Sequence, residues 1–483
     1  MDAIVILLIL HLLLPLSHFA DNKDEFLYRR KNLSFAAIQK NLQHSDFNHL
    51  EKMKYSIFIS TISIEGKHTL LYNALSGRFV VIRNKVFDDI KTVPFELLAS
   101  DFPTVYKQCV EAGIIVDDAV DEVALLEERV RQADNNSESF ILHVNPTLDC
   151  NFNCWYCYEN HVPHSRMKED VVEATKSFID SVLKRPEIKS FSLGFFGGEP
   201  LFHFDKVSKE IIGHAAAGCV GSGVSFQVNF TSNGALITED IVKFLSRYSC
   251  GFQITLDGGK PDHDKTRFGK NGYGSFDTIV SNIKLLLQAG IAVIARVNYT
   301  GANIDSVETI FDSFKDITDE EKKFVRFDFQ RVWQDRNDNV EDETEEKITR
   351  IRNLFRKAGF AVNTNYLLHG VDDSCYGDKI NHLLINYNGD VYGCTARDFN
   401  KENRIGFLDS CGEVHYDDKK LEKRNNSKLA KAVCKTCRIA PLCGGGCKQR
   451  AMEGLDTEGC TFHYSEEKMD KFILDIFEHS FMR

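Results

Sequence analysis

Residues 141–159 read ILHVNPTLDCNFNCWYCYE. The apolar, strand-like run ILHVNPT at 141 leads into a loop. The loop that follows carries Cys150, Cys154 and Cys157 in a C-x3-C-x2-C spacing, with Tyr156 before the third cysteine. Three thiolates on one short loop can ligate three irons of a four-iron cube and leave the fourth iron to an exogenous ligand. A structural zinc ion would want a fourth protein ligand, and a disulfide would strand one of the three thiols. On spacing alone all three readings stand.

The strand that precedes this loop is the first of a series. Strand-like runs start at 190 (SFSLGFFG), 225 (SFQVNFTSN), 251 (GFQITLDG), 292 (AVIARVNYT) and 323 (KFVRFDFQRVW). Amphipathic patterns at 168–185 and 275–290 lie between them, and a charged one at 342–360 follows. Six β/α units in series predict an α/β fold with an all-parallel sheet. Six fall short of a closed eight-fold barrel, so a partial (β/α)6 barrel or an open sheet is expected, with function at the C-terminal strand ends. Upstream, KYSIFISTISI, HTLLYNAL and RFVVIRNK (54–85) alternate around Gly66 and Ser76-Gly77 and predict a β-meander. Short helices follow between Val86 and Glu128, then the polar linker ADNNS at 133–137. The expected parts are an apolar segment at 1–22, a small α+β, winged-helix-like module at 23–137, the barrel at 138–365 and an irregular cysteine-rich extension at 366–483.

The composition fits an ordinary globular chain: 43% hydrophobic and 27% charged over 483 residues. Disorder as the main state, a collagen-like chain and a multi-span membrane protein are excluded. A net charge of −11 argues against general nucleic-acid binding. Residues 3–20, AIVILLILHLLLPLSHFA, lack the basic start of a secretory signal, because Asp2 is the only charge before them. Lys23, Arg29, Arg30 and Lys31 follow instead and would keep the downstream chain in the cytoplasm if the run is an anchor. A weak signal, an apolar helix and an unused upstream start are the other readings. Fourteen cysteines, an even number, first suggest disulfides, yet a chain of this length buries sizeable cores without such staples.

The cysteine loop after the first strand of a partial barrel resembles the radical S-adenosylmethionine (SAM) superfamily. The resemblance implies a 4Fe–4S cluster on Cys150, Cys154 and Cys157, whose open iron chelates SAM, and reductive cleavage of SAM to a 5′-deoxyadenosyl radical. Gly197-Gly198-Glu199-Pro200, after the second strand, is similar to the GGEP motif of that family. Its glycines would let backbone approach the methionine amino group and Glu199 would accept from it; the bland alternative is a turn. Thr231-Ser232-Asn233-Gly234 and Thr255-Leu256-Asp257-Gly258 close the third and fourth strands. By resemblance, Ser232, Asn233 and Asp257 face the SAM ribose and the substrate. Arg296 would pair with the SAM carboxylate or with an internal acid, and Tyr156 would present its backbone to adenine.

A second constellation follows. Cys375, Gly389, Cys394, then Cys434-x2-Cys437-x5-Cys443-x3-Cys447 and finally Cys460 resemble the SPASM extension of peptide-modifying radical SAM enzymes. That resemblance implies two auxiliary 4Fe–4S clusters. Cys375, Cys394 and Cys447 would serve the first, with Cys411 or a substrate thiolate as fourth ligand. Cys434, Cys437, Cys443 and Cys460 would serve the second. Zinc is the rival metal for this spacing. Cys109, Cys219 and Cys250 match no motif and read as buried thiols.

These features lead to the expectation of an oxidoreductase that abstracts a hydrogen from a ribosomally made precursor peptide, leaving a thioether, a carbon–carbon cross-link or a dehydro product. The N-terminal module resembles the PqqD-like element, which captures a leader peptide by β-addition; a structural cap on the barrel is the alternative. A ferredoxin or flavodoxin would supply electrons. Asp257, Asp328 and Asp398 are candidate bases by position. An anaerobic sulfatase maturase making formylglycine is the alternative function. Residues 376–393 lack the extra cysteine usual in that group, and Thr395 stands where an Asp is usual. A zinc-stabilised, non-catalytic peptide scaffold is the remote alternative. Reduced clusters need a reducing compartment, so the expected location is cytoplasmic, with membrane contact only through residues 3–20.

Overall fold

The computed structural model describes residues 26–28, 52–269, 272–335, 341–363 and 370–481. They form two compact units. The first takes the chain up to Ala133, returns at 370–374 and resumes at Asn426; the second comprises 134–363 and Cys375–Asn425. Residues 375–425 thus fold with the barrel, while the rest of the cysteine-rich tail folds with the N-terminal module. The apolar run at 3–20 lies outside the described residues. No helix among the described residues is long and apolar enough to cross a membrane.

In the first unit, strands β1 (Phe26–Tyr28), β2 (Met53–Tyr55), β3 (Ile59–Ile64), β4 (His68–Asn73), β5 (Arg78–Arg83) and β6 (Ile115–Asp117) make two sheets. The larger has the antiparallel order β1-β5-β4-β3, and β2 pairs with β6. The meander read from sequence is β3 to β5. Its extra strand, β1, joins the outer side of β5, with Leu27 opposite Val80. Alternation along the meander feeds two cores. Leu71, Val80 and Ile82 meet Val105 and Cys109 of helix α1 (Pro103–Ala112). Leu70, Tyr72 and Phe79 meet Ile439, Leu442, Ile473 and Ile476 of the C-terminal tail. Pro103 begins α1, and Gly113 ends it in the left-handed region at φ +73°.

The second unit holds β7 (Ser139–Val144), β8 (Ser190–Phe195), β9 (Ser225–Ser232), β10 (Ser249–Asp257), β11 (Ala292–Tyr299), β12 (Val325–Arg331) and β13 (Ala361–Val362). They are parallel and stand in sequential order. One sheet face is apolar. Phe140, Leu142, Phe191, Leu193 and Val228 pack there with α2 (Glu169–Leu183), α3 (Lys209–Ser222) and α4 (Glu239–Leu245), while Phe327 meets Phe314, Phe355 and Phe360. The opposite face is polar and carries His143, Asn229, Thr255, Arg296 and Asp328, with Thr255, Arg296 and Asp328 in one row across three strands. The sheet is open: β13 forms one edge and β17 the other.

The extension expected to be irregular contributes strands. β14 (His382–Ile385) adds parallel to β7, and β15 (Asp390–Tyr392), β16 (Arg404–Leu408) and β17 (Val414–Tyr416) follow antiparallel. Each is short, and all four residues of β14 are buried, so no period of two marks them in the sequence.

His143 on β7 and His382 on β14 share a hydrogen bond of 3.0 Å between Nδ1 and Nε2. The His143 ring lies over Gly194, where an added Cβ would stand 2.5 Å from its Cδ2. Burial lowers His143 to about 4 and holds His382 well below the usual imidazole range. Both rings are therefore neutral at pH 7, and the unfolded chain binds protons there first. The stability they contribute is complete above about pH 6.5 and is lost as the pH falls towards 4, by roughly 3 kcal/mol for His143 alone. Thermal unfolding at pH 7.5, 6 and 5 should show a falling midpoint, and His143→Leu should shrink that fall. A midpoint flat over this range would contradict the assignment. Gly194→Ala should cost about 1–3 kcal/mol by overpacking.

Candidate active site around the three-cysteine loop

The loop between β7 and α2 is closed at its base. Thr147 Oγ1 donates to the Ser165 carbonyl at 2.6 Å, Leu148 N–H donates to Ser165 Oγ at 2.9 Å, and Met167 N–H reaches the Pro146 carbonyl at 2.8 Å. Cys150 is buried, Cys154 is half-buried and Cys157 is exposed. Sγ of Cys150 accepts from Phe152 N–H at 3.4 Å and from Asn233 Nδ2 at 3.8 Å. Burial, then the charge of Glu199, pushes the Cys150 thiol up to about 12. Burial, then Glu159, pushes Cys157 up to about 11. Burial also raises Cys154. The raised thiols are neutral at pH 7, and a metal ligated by them would displace their protons.

The turn after β8 fits beneath this loop. Gly197 and Gly198 have φ of +78° and +38°. A Cβ on Gly198 would lie 2.2 Å from the Asp149 carbonyl oxygen, and one on Gly197 would lie 2.6 Å from the Asn145 side chain. The glycines are thus explained by the close approach of the turn to the loop backbone. Glu199 N–H donates to the Asp149 carbonyl at 2.9 Å, and Gly198 N–H donates to Glu159 at 2.8 Å. The Glu199 side chain is fully buried. It accepts from Ser232 Oγ at 2.8 Å, Asn233 N–H at 2.8 Å and Leu201 N–H at 3.1 Å. Two donors meet Oε1 and one meets Oε2, so Oε2 keeps acceptor capacity, and Glu199 joins the end of β9 to the glycine turn. Desolvation lifts Glu159 to about 7, against the Gly198 hydrogen bond.

Tyr156 points its hydroxyl into a buried network. It donates to the Asp257 carboxylate at 2.7–2.8 Å and accepts from Arg267 Nη2 at 2.5 Å and Asn298 Nδ2 at 3.1 Å. Arg267 Nε bonds Asp257 at 2.8 Å, with both side chains more than nine-tenths buried. Gln334 Nε2 holds the Tyr156 carbonyl at 3.0 Å. Asp257, a candidate base and ribose contact, is thus committed to Arg267 and Tyr156. His263 Nδ1 accepts from Asp257 N–H at 3.2 Å, and its Nε2 shares a hydrogen bond with Ser275 Oγ at 3.0 Å. Sequence reasoning passed over His263, Arg267 and Ser275. The readable signal was a run of polar residues directly after a strand end, Asp257 to Arg267, where a plain turn needs neither a histidine nor an arginine.

The remaining predicted residues divide. Arg296 uses Nε on Asn298 at 3.2 Å and makes no ion pair among the described residues. Asp328, its neighbour in the row, accepts from Gln330 at 2.8 Å. Asp398 binds the backbone and side chain of Asn160, so it anchors the loop. At the loop rim Tyr158 stacks on Trp333 at 6.4 Å, and Arg397 stands 5.9 Å from the Trp333 ring centroid. Trp155 meets Tyr156 edge-on.

No disulfide joins any of the fourteen cysteines. In the first unit Cys434, Cys437, Cys443 and Cys460 are close enough for their charges to act on one another, and burial with that mutual effect raises Cys443 to about 12. Cys447 lies in the same unit, whereas Cys375 and Cys394 belong to the second. Cys394 Sγ accepts from Ala396 N–H at 3.3 Å. Cys411 is exposed in the β16–β17 turn, whose Gly412 rests on α2. Cys109 and Cys219 are buried, and Cys250 is half-buried.

Gly198→Ala should stop the loop from closing. Iron bound after anaerobic reconstitution should fall by the share of the three-cysteine loop, with circular dichroism unchanged. Gly223→Ala, at a left-handed position with nothing within 4 Å, should retain its iron. Wild-type iron in Gly198→Ala would refute the steric reading.

Residues 144–314 match the model of the radical SAM superfamily. The chain is similar to the radical SAM cyclopropyl synthase TigE of Paramaledivibacter caminithermalis, 20% identical over 295 residues, 55% of this chain and 59% of that protein. It is also similar to a cysteine-type anaerobic sulfatase-maturating enzyme of Clostridium novyi, 25% identical over 337 residues, 62% of this chain and 85% of that enzyme. Among solved structures it shares the fold of native anSMEcpe with bound AdoMet, at TM-score 0.52 and 19% identity, covering 71% of this chain and 97% of that one. With the sheet order and the cysteine loop described above, the match identifies residues 144–314 as a radical SAM domain.

Proposed function

We propose that this radical SAM enzyme modifies a peptide, removing a hydrogen atom from a residue held over the polar face of its sheet and leaving an oxidised or cross-linked product. The observation that carries the reading is the three-cysteine loop, closed at its base and seated on the glycine turn at the C-terminal ends of parallel strands. Cys150, Cys154 and Cys157 would hold a 4Fe–4S cluster, and Gly197, Gly198, Ser232, Asn233 and Arg296 would surround SAM. When bound, that pair supplies one-electron cleavage of a C–S bond and a carbon radical able to take hydrogen from a C–H group. The protein's own part is to orient and to exclude water. The Asp257–Arg267–Tyr156 network fixes the back of the cysteine loop. Arg296, which makes no ion pair among the described residues, offers its guanidinium to a carboxylate. Of the three candidate bases, Asp257 and Asp398 are committed to loop anchoring. Asp328 Oδ2 is the atom we assign to accept the proton released as the product forms.

Cys434, Cys437, Cys443 and Cys460 would hold an auxiliary cluster. Cys375, Cys394 and Cys447 are the candidates for another, completed by Cys411 or a substrate thiolate. The outer edge of β3, which ends the sheet order β1-β5-β4-β3, would receive an extended segment of a precursor peptide by strand addition. A peptide substrate agrees with a structure of similar fold that holds AdoMet and the Cp18Cys peptide. The long alignment with the Clostridium novyi enzyme favours a second reading, maturation of a sulfatase cysteine or serine to formylglycine. The missing cysteine at 376–393 and Thr395 speak for the first reading.

Anaerobically reconstituted protein with dithionite should convert SAM to 5′-deoxyadenosine, and Cys154→Ala should reduce the yield at least a hundredfold. No nucleoside from wild type would defeat the proposal. Asp328→Asn should keep nucleoside formation within about threefold while peptide product falls tenfold or more. Equal loss of both would remove Asp328 from the proton role.

A further inference from the structure

A large concave patch on the second unit is basic in a chain of net charge −11. The cavity, of about 870 Å³, is bordered by Arg166, Lys206, Lys209, Lys243 and Arg247 against the carboxylates Asp205 and Asp240. Lys209 pairs with Asp205 at 3.2 Å. Arg166, Lys206 and Lys243 make no ion pair among the described residues. The floor is aromatic: Phe204 is buried, Phe244 is half-buried beneath the Arg247 guanidinium at 4.4 Å, and Phe202 is exposed at the rim.

The position of the patch restricts what can use it. Its walls come from the turn after Glu199, the start of α3 and all of α4, elements that pack on the apolar, helix-bearing face of the sheet. A substrate whose C–H bond must be reached belongs on the opposite, polar face. An electron has no such requirement. From the patch wall a hydrogen-bonded path leads inward: Leu201 N–H to Glu199 at 3.1 Å, Glu199 to Asn233 N–H at 2.8 Å, and Asn233 Nδ2 to Cys150 Sγ at 3.8 Å. His203, also on the wall, lies within electrostatic reach of Asp149, the residue before Cys150.

We propose that this basic cavity is the docking site of an acidic, low-potential one-electron carrier protein, which passes its electron towards the cysteine loop through the Leu201–Glu199–Asn233 side. The inference rests on the radical SAM reading, because only a redox centre at Cys150 gives the path an end. The step is a single electron transfer: the reduced carrier loses one electron, the centre on the loop gains it, and no bond or proton moves in the protein. Complementary charge steers such an encounter and makes it sensitive to salt, with a screening length of about 8 Å at physiological ionic strength.

The test uses the full chain with Lys206→Glu, Lys243→Glu and Arg247→Glu combined, and a flavodoxin as the acidic carrier. Binding of dye-labelled, oxidised flavodoxin, read by anisotropy, should be measurable for wild type at 20 mM salt and weaken at least tenfold at 300 mM. The triple variant should bind at least tenfold more weakly at low salt. Nucleoside formation driven by reduced flavodoxin should fall in parallel, while formation driven by dithionite stays within twofold of wild type. Unchanged flavodoxin binding by the variant would overturn the proposal, as would loss of precursor-peptide binding with carrier binding intact. An equal fall with dithionite would also overturn it, by assigning the patch to the cysteine loop itself. If wild type forms no nucleoside even with dithionite, the radical SAM reading fails first, a result distinguishable from all of these.

Discussion

The site is organised by one close approach, that of Gly198 to the carbonyl of Asp149. A single methyl group there would overlap the oxygen at 2.2 Å, so the turn after β8 can lie against the loop after β7 only with hydrogen at that Cα. Once it does, three strand ends lock together. Glu199 N–H takes the Asp149 carbonyl, and the Glu199 side chain takes Ser232 and Asn233. Asn233 in turn touches Asn151 and Cys150 of the loop. A buried carboxylate is expensive unless its acceptors are filled. Here three donors meet them, two on Oε1 and one on Oε2, and the same bonds fix the position of the buried cysteine. In this frame Glu199 is a strut between strands.

The sequence was most legible where one period ran uninterrupted. The six barrel strands and their helices appear within a few residues of where alternation and amphipathicity put them, because each strand buries one apolar face against helices. It was least legible where burial is two-sided or elements are short. His382 to Ile385 are all buried and carry no alternation, and β1 is three residues long. The cysteine spacings carried the resemblance, but they gave no division into units. The tail splits between two compact bodies, with Cys394 in one and Cys434 in the other.

Site residues were legible as identities more than as roles. Glu199, Asp257 and Tyr156 are at the strand ends and loop where the motifs put them, and their polar atoms bond to one another, to the side chains of Ser232, Arg267 and Asn298, and to backbone. Arg267 and His263 supply much of that bonding from positions that no spacing rule marked. A motif specifies which side chains gather at a strand end. Which of them face outward is decided by the partners that burial forces on them.

Both tryptophans of the chain sit at the rim of the cysteine loop: Trp155 within it, 60% exposed, and Trp333 stacked on Tyr158, 48% exposed. The rest of the protein contributes no indole. Its indole emission, excited selectively over that of the fifteen tyrosines, is therefore a local signal, reporting polarity and quenching at the mouth of the barrel without a label. Any ligand, metal or peptide that settles there changes the light the native chain emits.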